Sequence, residues 1–145
     1  MSNFKKINKI ALIEARFYSD IADGLANGAI NVAENNGFLT RRINVPGVFE
    51  IPATLNKIWN SGSFIGVVAL GCVIRGETDH YDHICREVSR ALMDLSVNQG
   101  IPMGFGVLTC ENYEQARVRS SVKERDIGGR ATLACIEMIR IMENS

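Results

Sequence analysis

The sequence predicts an α/β fold in which a central parallel sheet of about four strands is covered by helices on both faces. Two observations carry this. Short apolar segments, KIALIEA at 9–15, FIGVVALGCVI at 64–74 and IPMGFGVLTC at 101–110, alternate with segments whose apolar residues recur at helical spacing. The second of them is also apolar at nearly every position, as expected of a strand covered on both sides. Crossovers of helical length between such strands favour parallel pairing with helices on both faces.

Each element has its own local reason. KIALIEA is the first strand; Ser19 and Asp20 then offer an N-cap to a helix with Ile21, Leu25, Ala29 and Val32 on one face, and Gly37 ends it. FLTRRINV, at 38–45, alternates enough to be a strand, and PGVFEIP, at 46–52, is a turn leading into a helix with Pro52 in its first turn. After FIGVVALGCVI, the residues Ile84, Val88, Ala91, Leu92 and Leu95 trace a helical stripe. IPMGFGVLTC is the next strand. Asn112 with Gln115 three residues later resembles a capping box for a helix carrying Arg117 and Arg119. ERDIGGR, at 124–130, breaks the chain, and a final helix is expected from about Arg130, with Arg130, Glu137, Arg140 and Asn144 on its polar face.

The 145 residues fit one domain. Sixteen basic residues balance sixteen acidic ones without a block of either sign, which gives no electrostatic case for nucleic acid or anionic lipid. Cys72, Cys85, Cys110 and Cys135 contain no C-x-x-C pair and read as small buried thiols of a reduced compartment. Lys5, Lys6 and Lys9 precede only four apolar residues, Ile10 to Ile13, too few for a signal-peptide core. The longest uncharged stretch, 58–74, is interrupted by glycine, serine and asparagine and falls short of a membrane span. The expectation is a soluble cytoplasmic protein.

In open parallel sheets, ligands bind beyond the carboxyl ends of the strands. That edge should collect ARFY, VPGVFE, RGETDHYDH and TCENYEQ, which hold most of the unusual residues. His80 and His83 admit three readings: a metal site completed by Asp79, Asp82 or Cys85, a polar helix start, or a general acid–base group, since imidazole titrates near neutrality. Gly76, Glu77 and Thr78 precede a helix N-terminus, where free N–H groups favour an anion. Phe17 is either a core residue or a platform for a planar ligand. Glu50 either complements a helix dipole or accepts hydrogen bonds from ligand hydroxyls, and Arg119 alone reads as a solvated cation near a helix C-terminus.

Taken together, ARFY, VPGVFEIP, ALGCVIRGETDHYDHI, FGVLTCENYEQA and GGRATLACIEM resemble, in order and spacing, the lumazine synthase family. The resemblance spans nearly the whole chain. It implies a flavodoxin-like three-layer sandwich and the cofactor-free condensation of 5-amino-6-(D-ribitylamino)uracil with 3,4-dihydroxy-2-butanone 4-phosphate, the penultimate step of riboflavin biosynthesis. By position it implies that Phe17 stacks on the pyrimidine, that Val48, Phe49 and Glu50 hold the ribityl chain, and that Cys72, Val73 and Ile74 line the pyrimidine pocket. Glu77 and Thr78 match positions that bind the phosphate ester, and His80 falls on the catalytic histidine. Phe105 and Arg119 match an aromatic and a phosphate-binding arginine supplied by an adjacent subunit, which implies a homopentamer or a multiple of pentamers. No metal is implied.

Three departures stand out. Tyr18 replaces the asparagine usual after RF, His83 stands where an aromatic or apolar residue is common, and Ile127 replaces a lysine near the phosphate. Loss of one cation from a desolvated phosphate weakens binding by about 1 to 3 kcal/mol, which Lys123 or Arg125 could offset. Two alternatives accompany the resemblance: a non-catalytic or weakly catalytic paralogue that binds flavin-like rings, and a metal hydrolase built on the two histidines.

Overall fold

A computed structural model describes residues 7–144. Four strands, β1 (Lys9–Ala15), β2 (Leu39–Val45), β3 (Gly66–Ile74) and β4 (Met103–Cys110), form one sheet in the order β2-β1-β3-β4. All three pairings are parallel. Five helices connect or follow the strands: α1 (Ser19–Asn35), α2 (Ile51–Trp59), α3 (Tyr81–Gln99), α4 (Tyr113–Ser120) and α5 (Ile127–Glu143). A single 3-10 turn, Val48–Glu50, precedes α2.

Alternation along the two inner strands builds two cores. Ile10 and Leu12 of β1, with Val68, Leu70, Cys72 and Ile74 of β3, pack under α1, α4 and α5. Ala11, Ile13 and Ala15, with Val67, Ala69 and Val73, pack under α2 and α3. Every residue of β3 is buried, which explains why its sequence lacks the polar–apolar alternation of a one-sided strand. Full burial of each large aliphatic side chain is worth about 1.5–3 kcal/mol, so this strand anchors the layers on both sides. The expected parallel sheet with helices on both faces is what the structure has.

Two helix starts differ from the sequence expectation. The N-cap of α1 is Tyr18, in an extended conformation with no side-chain cap, while Ser19 is already helical. The final helix starts at Ile127, three residues before Arg130, because Asp126 caps it by accepting a hydrogen bond from the Gly129 N–H. Asp126 takes a left-handed φ of 46° to do so. Gly128 and Gly129 therefore lie inside α5, and packing explains the first of them. A Cβ on Gly128 would stand 2.0 Å from the Leu25 carbonyl oxygen, so glycine allows α5 to lie directly on α1. Elsewhere the expected signals operate: Pro52 occupies the first turn of α2, and the Asn112 side chain accepts from the Gln115 N–H. Gln115 in turn accepts from the N–H of Glu111, one residue before the cap.

Cys72, Cys110 and Cys135 are buried and Cys85 is partly so, all four as free thiols. No helix among the described residues is long and apolar enough to cross a membrane.

Candidate active site

The carboxyl ends of β1, β2 and β3 deliver three loops to one edge of the sheet, and a cavity of about 360 Å³ lies between them. β1 contributes Ala15, Phe17 and Tyr18. From the segment after β2 come Gly47, Val48, Phe49 and Glu50, and β3 with its following turn adds Cys72, Val73, Ile74, Glu77 and Thr78. Ile84 of α3 completes the lining. TCENYEQ, although it lies at the same edge, adds nothing to this lining. Its Glu111 instead accepts from Arg75 at 2.9 Å, tying the β4 loop to the β3 loop.

Local structure fixes each wall. The loop after β1 is held by Arg16, which donates to the buried Glu14 at 2.9 Å and pairs with Asp23. Phe17 is thereby presented to solvent at 79% exposure, which rules out the reading of it as a core residue. Its ring meets that of Tyr18 edge-on, with centroids 4.9 Å apart and planes at 79°. In the wall after β2, Val48 is buried and anchors the 3-10 turn while Phe49 is exposed. The turn after β3 reverses at Gly76, whose φ of +85° is the left-handed region that favours glycine. Arg75 N–H donates to the Cys110 carbonyl and Glu77 N–H to the Ile74 carbonyl, closing that turn.

The cavity floor is apolar. Burial pushes the Cys72 thiol up to about 12, with the neighbouring Cys110 adding to the shift and the positive charge of Arg119 opposing it. It is a neutral lining group, not a nucleophile. At the rim, the Tyr18 hydroxyl donates to Glu77 Oε1 at 2.7 Å; burial, then this carboxylate, holds the phenol well above the usual tyrosine range.

A second, polar depression of about 420 Å³ adjoins the first. His80, His83, Asp79, Asp82, Arg75 and Arg86 line it, and Thr78 belongs to both. His80 is the N-cap residue of α3, and its N–H donates to Thr78 Oγ1 at 3.3 Å. Arg75 is held by Glu111 and Asp82 and lies 4.4 Å over the Tyr81 ring. Among the described residues, no group of three or more His, Cys, Asp or Glu side chains is arranged to hold a metal ion.

Phe17, Val48, Phe49, Glu50, Cys72, Val73, Ile74, Glu77 and Thr78 thus line one cavity, and His80 stands in the adjoining depression. Phe105 and Arg119 lie outside both. Phe105 is 46% exposed on β4 beside Met93 and Met103. Arg119 packs along the end of β4, with Nη1 3.4 Å from the Thr109 carbonyl and 3.5 Å from Cys110 Sγ. Sequence reasoning passed over Ala15, Gly47 and Ile84 as lining residues and noted Tyr18 only as a departure. The strand-end position of Ala15 and the aromatic character of Tyr18 were the available signals.

An open parallel α/β sheet with a ligand cavity at the carboxyl ends of its strands defines a small-molecule-binding α/β protein. The family model for 6,7-dimethyl-8-ribityllumazine synthase matches residues 8–143. The 6,7-dimethyl-8-ribityllumazine synthase of Agrobacterium fabrum is 47% identical over 137 residues, 91% of this chain and 93% of its own length. That of Methylorubrum populi is 45% identical over 138 residues, 92% of this chain and 82% of its own. That of Desulfovibrio desulfuricans is 39% identical over 138 residues, 93% of this chain and 88% of its own. The chain belongs to the 6,7-dimethyl-8-ribityllumazine synthase family.

Proposed function

We propose that the 360 Å³ cavity is the pyrimidine and ribityl subsite, and the Thr78 turn the phosphate subsite, of the reaction that family membership gives this enzyme of riboflavin biosynthesis. The observation that carries the assignment is the convergence on one cavity of nine residues singled out in the sequence, from the end of β3 and the segments that follow β1, β2 and β3, with His80 in the depression next to it.

The chemistry needs no cofactor. Phe17 offers an exposed aromatic face to the planar pyrimidine of 5-amino-6-(D-ribitylamino)uracil, and Glu50 accepts hydrogen bonds from ribityl hydroxyls. The substrate's primary amine attacks the ketone of 3,4-dihydroxy-2-butanone 4-phosphate to give a carbinolamine and then an imine. Phosphate leaves, and the ribityl-bearing nitrogen closes the second ring with loss of water. Ordered placement of two reactive partners supplies roughly 7–11 kcal/mol of the barrier. His80 shuttles protons during dehydration and phosphate elimination, a contribution of about two to four powers of ten.

The phosphate ester seats at the Thr78 turn and is closed over by Arg119 of a neighbouring copy, with Phe105 of that copy covering the pyrimidine. Two features support an intersubunit site. Neither residue lines its own chain's cavity, and Phe105, Met93 and Val97 leave apolar surface on β4 and α3 uncovered in one chain. The assembly is a homopentamer or a multiple of pentamers, acting in the cytoplasm, where four free thiols persist.

The test mixes the purified protein with both substrates and follows lumazine absorbance and phosphate release together against a protein-free blank. Equal yields of both products above the blank are expected; pyrimidine bound without turnover would instead establish the binding paralogue.

A further inference from the structure

Glu77 is an awkward neighbour for a phosphate. It precedes Thr78, the residue at which a phosphate monoester is to bind, and its N–H is already engaged by the Ile74 carbonyl. What Glu77 offers an incoming anion is therefore a carboxylate, and two anions at close range in a partly desolvated site repel.

The structure shows where that carboxylate goes. Oε1 accepts from the Tyr18 hydroxyl at 2.7 Å, across the cavity mouth from the β3 turn to the start of α1. Glu77 consequently lines the first cavity and not the polar depression, whereas Thr78 lines both. The donor is itself immobilised, because Tyr18 is the N-cap of α1, its carbonyl accepts from the Ala22 N–H at 2.8 Å, and its ring abuts Phe17.

We propose that Tyr18 is a positioning residue whose hydroxyl holds the Glu77 carboxylate on the Phe17 side of the cavity, clear of the Thr78 turn, so that a phosphate monoester seats there without meeting a like charge. The inference rests on the reading of the Thr78 turn as the phosphate subsite. Tyr18 acts through Glu77, the group its hydroxyl holds. Burial and the carboxylate keep the phenol protonated, so the donor is present throughout the neutral range. The same bond ties the loop that carries Phe17 to the turn that carries Thr78.

The experiment is steady-state kinetics on the full chain and three variants, Tyr18→Phe, Glu77→Gln and the double change, varying the phosphate substrate at saturating pyrimidine. Tyr18→Phe keeps the ring and frees the carboxylate; the expected result is a KM for the phosphate substrate raised about three- to tenfold, with kcat and the pyrimidine KM moved far less. In the double variant the amide carries no charge, and KM returns to within about twofold of the Glu77→Gln value. Added salt shrinks the Tyr18→Phe effect. An unchanged KM in Tyr18→Phe overturns the proposal, and so does a double variant no better than Tyr18→Phe, which would make Tyr18 a structural residue only. A parent chain that releases no phosphate at all overturns the underlying subsite reading, a result seen before any variant is compared.

Discussion

Arg42 on edge strand β2 grips Glu14 on β1 through two hydrogen bonds, Nε to Oε2 at 2.7 Å and Nη2 to Oε1 at 2.9 Å. Glu14 is 2% exposed, and Arg16 reaches the same carboxylate from the loop that carries Phe17. The pair joins the edge strand to the ligand edge, so breaking it should have both a stability and a binding signature.

Arg42→Ala leaves a buried carboxylate with one partner in place of two and is expected to lower unfolding free energy by about 2–3 kcal/mol. Arg90→Ala, which breaks only exposed, solvent-screened pairs on α3, should leave it almost unchanged. Urea titration of both variants checks the order, and equal losses would remove the special role assigned to Glu14.

Gly128→Ala should destabilise by about 3 kcal/mol or more, since its methyl group would meet backbone of α1 that cannot yield without moving the helix. Gly62→Ala, with a φ of +76° and open space around the new carbon, should cost only about 1–2 kcal/mol for the left-handed backbone. The comparison of the two thermal midpoints separates steric from conformational cost.

The buried thiols predict a loss of stability in alkali. Cys72 and Cys135 are pushed up to about 12 from an ordinary 9.0, chiefly by burial. Below pH 9.0 their contribution is full, because both states are protonated; above it only the unfolded chain ionises, and the contribution is lost as pH rises towards 12. Each thiol should add a downward slope of about 1.4 kcal/mol per pH unit in that window. Unfolding free energies measured across it for Cys72→Ala should show a slope shallower by one thiol's share, and an unaltered slope would count against the burial assignment.

His80→Ala should lower kcat by about two to four powers of ten while pyrimidine affinity holds, whereas Arg119→Ala should raise the KM of the phosphate substrate roughly tenfold or more. If the site is shared between copies, equal co-assembly of the two variants restores about a quarter of parental activity when assayed with the phosphate substrate well below its KM, since random neighbours then reunite intact His80 and Arg119. Complementation that fails in verified mixed oligomers would place both residues in one chain's site.

Much of the architecture was legible because local and global signals agree. β3 is apolar at consecutive positions and proves buried on both faces, and Asn112 caps α4 as its spacing implies, although Gln115 reaches back to the Glu111 N–H and not to that of the cap. The start of α5 was not legible: Gly128 and Gly129 read as breakers by propensity, but the Asp126 cap and the contact with Leu25 override it. Phe17 could not be assigned from spacing alone, since exposure depends on how Arg16 pins the loop. The Tyr18–Glu77 bond spans 59 residues, and no local pattern encodes a contact of that separation.

The seating of α5 on α1 bears on the order in which the molecule can come to life on the ribosome. α1 holds the Phe17–Tyr18 corner, yet the glycine that lets its neighbour dock is translated after every strand has been made. A nascent chain stalled before residue 128 therefore carries all the loops of the cavity while lacking the clamp behind them. Ligand should accordingly protect chains that carry α5 more than chains truncated before it, because binding stabilises only the state whose cavity loops are held in place.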